Sequence, residues 1–267
     1  MFQDETTLLN TLTVSRTALG PKHPTAIKHL DELCRFYLHT GAEAIDKAEF
    51  YLEQQLDLLK EIGADYHIIK HVVQSLSCVY EKRDEKLRGE KLYLCLMRRQ
   101  EKLYGATHET TRDALDKLAG YYYRTGSFCQ ARSAWEELVD LTESALGHEQ
   151  VLYAQAVAPV LSDLAAVLGR MELRADQIIA LEKQVRILEA AGNANVALAS
   201  ALTRLADVLI CLHDIEHVES LNERAELCYR RALDILKAYD RMIGANAAEK
   251  MTISNLESRL NGLAVLV

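Results

Sequence analysis

The hydrophobic positions between residues 108 and 147 form two helical stripes that are separated by a short polar turn. The first stripe recurs at i, i+3, i+4 and i+7, the spacing that places side chains on one face of an α-helix. Its residues are Leu115, Leu118, Ala119 and Tyr122. The second stripe consists of Phe128, Ala131, Trp135, Leu138, Val139 and Thr142. Because the turn at 124–126 is short, the two stripes face each other only in an antiparallel helical hairpin.

The same pattern recurs in four other segments of the chain. A leucine in the first helix returns at intervals of 43, 42, 46 and 41 residues, at Leu33, Leu76, Leu118, Leu164 and Leu205. The residue after it is small each time: Cys34, Ser77, Ala119, Ala165 and Ala206. The second helix has its own small position, occupied by Ala48, Gly89, Ala131 and Ala225, with Gln177 in the fourth segment. Helices cross closely only where side chains are small, so the pattern predicts stacked hairpins.

We therefore predict an all-α, right-handed superhelix that forms a single array over residues 1–267. Its five hairpins are expected at 23–62, 67–104, 108–146, 149–191 and 195–243, between a half repeat at 4–19 and a C-terminal capping helix at 246–262. Pro159 is expected to kink or restart the first helix of the fourth hairpin. Gln177 is expected to splay that hairpin. Insertions in the turn of the first hairpin, before the fourth and in the turn of the fifth are expected to form loops on one face.

The small residues at both helix crossings resemble those of the tetratricopeptide repeat. The segments ALGPKHPTAIKHLDELCRFY at 18–37 and KLYGATHETTRDALDKLAGYYYRTG at 102–126 are similar to the junctions of kinesin light chain-type repeats. The resemblance implies a non-enzymatic scaffold or adaptor that binds a protein or peptide partner in a concave groove lined by the first helices. Members that bind chaperones hold a terminal carboxylate with paired asparagine and lysine residues. The aligned groove positions lack asparagine, so we do not expect a chaperone C-terminus as the ligand.

Basic residues occupy equivalent positions near the ends of four first helices. They are His39, Lys82, Arg124 and Arg170. One interpretation is a cationic row for an acidic peptide, with Arg35 as a further cation and Tyr123 as an aromatic anchor. The alternative is that the last turn of any helix favours a cation through the helix dipole. Asp113 and Asp116 interrupt the row.

Composition limits the function classes. The formal net charge of -8 and the pI of about 5.6 argue against a general nucleic-acid surface, which needs a basic stripe. The six cysteines are scattered, mostly where a small apolar residue would serve, which favours reduced thiols in the cytoplasm. The N-terminus is acidic and lacks the apolar run of a signal peptide. We expect no window to reach the roughly 18 apolar residues of a membrane span, so no membrane partner is predicted.

Candidate chemistry is sparse. His213 and His217 are spaced like two ligands on one helix turn and form a weak candidate metal site. His67 and His71 share that spacing, but His67 is explained by the repeat. No motif for nucleophilic catalysis or phosphate binding occurs, so we predict no enzyme activity and no cofactor. The alternative function is a ligand-sensing regulatory domain of a larger signalling or transcription-regulating protein, with the apolar tail 263–267 as a contact surface and the oligomeric state left open.

Overall fold

The structure, a computed structural model, describes residues 4–192, 195–244 and 246–264. Over these ranges the chain forms twelve α-helices and one 3-10 helix, without any β-strand. The prediction of an all-α helical-repeat protein is confirmed. The chain divides into two compact units, Met1–Tyr121 and Tyr122–Val267. The single continuous array stays a prediction, and each unit is described by itself.

The first unit is built from consecutive helices that pack in chain order. They are α1 (Glu5–Leu19), α2 (Pro24–Thr40), α3 (Ile45–Glu61), α4 (Tyr66–Lys82), α5 (Lys86–Tyr104) and most of α6 (Glu109–Arg124). Each of α1 to α4 packs against the helix that follows it. A 3-10 helix, Ala42–Ala44, takes up the extra residues expected in the first turn.

The second unit begins inside α6 and continues the same order. Its helices are α7 (Phe128–Leu146), α8 (Gln150–Arg170), α9 (Arg174–Ala190), α10 (Val196–Glu216), α11 (Glu219–Ile243) and α12 (Ala247–Ala264). Helix α8 packs between α7 and α9, and α10 packs between α9 and α11. The side chains of the predicted apolar tail, 263–267, lie outside the described residues.

The prediction that the insertions form loops is wrong for the fourth and fifth hairpins, because the extra residues lengthen helices instead. Helices α8 and α10 have 21 residues each, and α11 has 25. The turn of the fifth hairpin is reduced to His217 and Val218. The segment EQVLYAQAVAP almost entirely forms the first half of α8. In the fourth hairpin the continued helix buries Ala154, Val157 and Ala158, whereas Ile215 and Val218 of the fifth stay exposed.

The small residues named from the sequence are buried at the helix crossings. They are Cys34, Ala48, Ser77, Gly89, Ala119, Ala131, Ala165, Ala206 and Ala225. Gly89 is under the tightest constraint, because a Cβ there would lie 2.4 Å from the Tyr121 hydroxyl oxygen. Tyr121 is fully buried and donates a hydrogen bond of 2.7 Å to the Lys86 carbonyl. The crossing therefore depends on glycine at that position.

Contrary to the prediction, Gln177 does not splay the fourth hairpin. Its side chain is buried against Gly169 of α8, where a Cβ would lie 2.8 Å from the Gln177 Nε2 atom. Arg174 donates a hydrogen bond of 2.9 Å to the Gln177 side-chain oxygen. Gly169 on α8 supplies the small residue that position 177 on α9 lacks, so the two helices still pack closely.

Pro159 does not restart the helix, because α8 continues through it as one element. A proline removes one backbone donor and leaves a carbonyl one turn earlier without its usual partner. Gln184 of α9 donates a hydrogen bond of 2.8 Å to the carbonyl of Ala158, directly beside the proline. The carbonyl that loses its donor belongs to Gln155, so the bond from Gln184 attaches α9 to α8 beside the proline and does not replace the lost backbone bond.

The expectation that no apolar window is long enough for a membrane span is wrong by length and composition. Helices Gln150–Arg170 and Val196–Glu216 both reach that limit. In this structure 50% and 44% of their windows are buried inside the protein. Each lies between two other helices of the second unit, which explains an apolar surface on more than one face.

All six cysteines are free thiols. Cys34 is buried, and burial raises the pKa of its thiol to about 12. Cys78, Cys95, Cys129 and Cys211 are exposed. The expectation that most cysteines fill small apolar positions is therefore wrong for these four.

Candidate functional site

The predicted basic row lies at the C-terminal ends of the first helices. His39 stands in the last turn of α2, and Lys82, Arg124 and Arg170 are the last residues of α4, α6 and α8. All four are exposed. Two belong to each compact unit. Their position at carbonyl-bearing helix ends is also the one that the helix dipole favours for cations.

In the first unit Lys82 is the cation best placed to receive a ligand. Neither Lys82 nor His39 has an ion-pair partner among the residues that the structure describes. Arg35, by contrast, forms an ion pair of 2.8 Å with Asp31 one turn earlier on α2. Its charge is already partly neutralised, so Arg35 contributes less to the binding of an anionic ligand than the sequence suggested.

In the second unit Tyr123 belongs to an aromatic cluster, which we define as Tyr123, Phe128, Trp135 and Arg170. The Tyr123 ring centroid lies 5.9 Å from the ring centroids of both Phe128 and Trp135. The Arg170 guanidinium lies 5.6 Å from the Phe128 centroid, within reach of a cation–π interaction. Trp135 is buried, while Tyr123 and Phe128 are half-buried.

Arg170 has its charged edge available. Across the described ranges no carboxylate lies within ion-pair distance of its guanidinium, which contacts the Phe128 ring. Phe128 was assigned from the sequence to the core stripe of α7. The signal that could have revealed its exposure is its place as the first residue of that helix, directly after the turn.

The acids that interrupt the basic row are paired with lysines inside the first unit. Asp113 accepts hydrogen bonds from the Tyr66 hydroxyl at 2.6 Å and the Lys70 ammonium at 2.7 Å. Lys117 lies 2.8 Å from Asp116 and 3.7 Å from Asp113. We call these five residues the Asp113 cluster. Because the carboxylates are matched by two lysines, they repel an acidic ligand less than their number implies.

Burial and pairing act in opposite directions on the Asp113 cluster. Burial raises the pKa of the Asp113 carboxyl, but the hydrogen bonds from Lys70 and Tyr66 outweigh it, so its pKa is below the ordinary value. Burial and the hydrogen bond to Asp113 together raise the pKa of the Tyr66 phenol. The carboxylate is therefore held charged and the phenol neutral near pH 7.

Arg204 is a further cation on the first helices that the sequence did not single out. Its guanidinium donates to the Ser162 hydroxyl and, at 2.8 Å, to the Ser162 carbonyl. Burial lowers the pKa of this half-buried side chain. Arg204 ties α10 to α8, and its partner could not be identified from spacing because it lies 42 residues away.

The weak metal candidate does not assemble a ligand set. His213 Nδ1 lies 2.9 Å from the Val218 carbonyl oxygen, to which it donates. His217 follows the last residue of α10 in a left-handed conformation with φ of 54°. The two side chains are therefore not one turn apart on a helix. In the ranges 4–192, 195–244 and 246–264, no group of three His, Cys, Asp or Glu side chains is arranged to hold a metal ion.

No protein-family model and no curated protein matches the sequence. Among solved structures, BtubC (BKLC) from P. vanneervenii is 15% identical, with a TM-score of 0.57 over 91% of this chain and 92% of that chain. A putative kinesin light chain with nearly identical TPR-like repeats from Podosopora anserina is 17% identical, with a TM-score of 0.54 over 77% and 96%. The apo form of RapI is 11% identical, with a TM-score of 0.57 over 97% and 73%.

These likenesses establish the fold and nothing finer. The chain has the tetratricopeptide-like helical-repeat fold, as the resemblance implied. Identities of 11–17% are too low to transfer a ligand or partner.

Proposed function

We propose that this chain is a non-enzymatic scaffold that binds an acidic peptide or protein segment along its first helices, in the groove that the repeat fold provides. The observation that carries the proposal is the aromatic cluster of the second unit. There an exposed arginine without a carboxylate partner in the described chain stands over Phe128, next to Tyr123.

The chemistry of this cluster suits a carboxylate that is flanked by an apolar side chain. A guanidinium presents a planar fork of donors that matches a carboxylate. The contact with Phe128 orients that fork and reduces the entropy lost when a ligand binds. Tyr123 and Phe128 add half-buried ring surface, the type of residue that carries binding energy at protein interfaces.

Lys82 supplies the first unit with a separate attachment point. Its ammonium is exposed at the end of α4, beyond the paired charges of the Asp113 cluster. A lysine there attracts anionic residues without imposing the geometry of a guanidinium. Free thiols are consistent with our expectation of a cytoplasmic protein.

The proposal is tested by reversing both attachment charges. Wild-type chain and a Lys82→Glu, Arg170→Glu variant are used to capture partners from a lysate of the source organism, followed by titration calorimetry with each captured protein. We expect affinity to fall at least roughly tenfold, because each lost charged contact costs about 1.5–3 kcal/mol. The matched control is Lys91→Glu, Arg98→Glu, which changes the net charge equally at two exposed positions of α5.

An equal loss of affinity in both variants would show that the effect comes from the overall charge, which would contradict a specific site. Partners that bind wild type and both variants alike would place the interface on another surface. Circular dichroism and thermal unfolding of all three proteins are compared first, so that a loss of binding is not confused with a loss of structure.

The second candidate function is a ligand-sensing regulatory domain. It is the second interpretation that the sequence left open, and one of the solved structures that share the fold is the apo form of RapI. A sensor is expected to change its dimensions when its ligand binds, whereas a rigid scaffold is not. Small-angle scattering with and without a captured partner peptide separates the two: an unchanged radius of gyration of the chain contradicts the sensor.

A further inference from the structure

An open cleft lies between α7 and α9, which are the second helices of the third and fourth hairpins. The proposed function does not use this surface. We call the cleft the α7–α9 cleft. Its floor is formed by α8, through Leu161, Leu164 and Leu168, and Val139 and Ala180 line its walls. This section has a volume of about 260 Å³. A second section of about 470 Å³ adjoins it at Lys183 and extends past Ile187 and Ala190.

The cleft is a property of this sequence and does not follow automatically from the repeat fold. The equivalent position in the first unit lies between α3 and α5 over α4, and its cavity is only about 70 Å³. Leu92 lines that cavity at the repeat position that Ala180 occupies in the second unit. The three leucines of the floor are themselves buried, with 1–7% of their surface exposed, so the space that the smaller side chain leaves lies directly above a closed apolar floor.

An exposed apolar side chain marks the rim of the cleft. Ile179 is 59% exposed although it lines the cleft beside Ala180. A single exposed apolar residue is ordinary, but Ile179 adjoins the apolar residues that line the cleft and extends that lining to the surface.

The two walls differ in charge. The α7 wall carries Arg132 and the exposed acids Glu136, Asp140 and Glu143, and Arg132 pairs with Glu136 at 2.8 Å. The α9 wall carries Asp176, Lys183 and Arg186. Ion pairs cross the cleft at both ends of the first section, Arg132–Asp176 at 3.4 Å and Glu143–Lys183 at 3.8 Å. Asp140 lies between them and has no ion-pair partner within the described ranges. Exposed pairs of this kind contribute little and exchange readily.

We propose that the α7–α9 cleft binds an amphipathic α-helix of a protein partner that carries basic residues along one edge. The lining of α7 extends from Arg132 to Gly147, which corresponds to about 22 Å and to a partner helix of roughly 15 residues. Its apolar stripe covers Ile179 and inserts side chains over the α8 leucines, as in other helix-in-groove complexes. Its basic edge faces Asp140 and the neighbouring acids of α7.

The test uses designed peptides as the probe. One peptide of roughly 18 residues has leucines at i, i+3, i+4 and i+7 and lysines beside them, and its counterpart has glutamates in place of the lysines. Fluorescence anisotropy of the labelled peptides is measured with the full chain. We expect the lysine peptide to bind at least roughly tenfold more tightly, with an advantage that shrinks in high salt.

Two variants locate the binding, and a third serves as their control. Ala180→Leu copies the side chain that narrows the cleft of the first unit and is expected to weaken the lysine peptide at least roughly tenfold, because it fills the space above the floor. Glu136→Lys, Asp140→Lys changes only exposed residues and is expected to transfer the preference to the glutamate peptide. Glu137→Lys alters an exposed acid of α7 outside the cleft and is expected to retain at least half of the lysine peptide's affinity.

Hydrogen exchange supplies the positional readout. Protection by the lysine peptide is expected at 132–147 and 176–190. Equal binding of the two peptides, no binding at all, or an unaltered affinity of Ala180→Leu would each overturn the proposal. Protection confined to the ends of the first helices would do the same. The Lys82→Glu, Arg170→Glu variant is expected to bind the lysine peptide normally, so a failure here is distinguishable from a failure of the proposed scaffold site.

Discussion

Replacing Gly89 by alanine is expected to destabilise the protein by about 2 kcal/mol, although alanine has a higher helix propensity than glycine. In an exposed helix the same change stabilises by about 1 kcal/mol. Here the added methyl group would lie 2.4 Å from the Tyr121 hydroxyl oxygen and 2.7 Å from its Cζ. Tyr121 is fully buried and hydrogen-bonded to the Lys86 carbonyl, so the ring has little room to move. Overpacking of this kind typically costs about 1–3 kcal/mol.

The measurement is chemical denaturation of wild type, Gly89→Ala, Tyr121→Leu and the double variant. Leucine at 121 removes the end of the ring that meets the new methyl group. Because the two residues are in direct contact, we expect the double variant to be more stable than the sum of the single changes predicts, by about 1 kcal/mol. Additive effects, or a Gly89→Ala protein more stable than wild type, would show that the crossing tolerates a side chain.

Gly89 also illustrates how far the sequence determines the fold. Its smallness, at a repeated position of the second helix, was enough to predict a close helix crossing. The residue that makes glycine necessary was not predictable, because Tyr121 comes from α6 of the next hairpin. A repeat pattern indicates which positions are confined, whereas the identity of the confining side chain depends on three-dimensional packing.

The errors in the fold have a common physical origin. Gln177 broke the pattern of small residues, and Gly169 on the facing helix compensates for it. Pro159 suggested a helix break, but burial of α8 between two neighbours outweighs the loss of one backbone donor. Both cases are tertiary compensation, which local propensity does not register.

The candidate site was predictable in position but not in electrostatics. The repeat register placed Lys82 and Arg170 correctly at helix ends. The pairing of Arg35 with Asp31, four residues earlier on the same helix, could have been inferred from the sequence, but the contact of Arg170 with Phe128 of another helix could not. Whether Arg170 remains available to a ligand depends on neighbours from other helices, and those neighbours were unknown until the helices were placed.

Asp113→Ala is expected to destabilise the protein by about 2–3 kcal/mol at pH 7. The change removes the acceptor of two charge-assisted or buried hydrogen bonds, each of which contributes about 1–3 kcal/mol. The Tyr66 side chain is only 6% exposed and the Lys70 side chain 20%, so neither is fully compensated by water. Asp57→Ala is the control, because its carboxylate is 75% exposed and pairs with Lys60 at 3.4 Å. It is expected to cost no more than about 0.5 kcal/mol.

The pH dependence of this difference identifies its cause. The pKa of the Asp113 carboxyl is lower in the folded protein than in the unfolded chain, so the unfolded state takes up its proton first as the pH falls. The stabilisation is therefore complete above the unfolded value of about 3.9 and is lost as the pH drops through the folded value. Urea denaturation from pH 7 to pH 3 should show wild type approaching Asp113→Ala in stability. Asp113→Asn keeps an acceptor for Tyr66 but lacks the charge, so it should be intermediate at pH 7. A gap between wild type and Asp113→Ala that stays constant down to pH 3 would mean that packing, and not the charged network, connects α4 to α6.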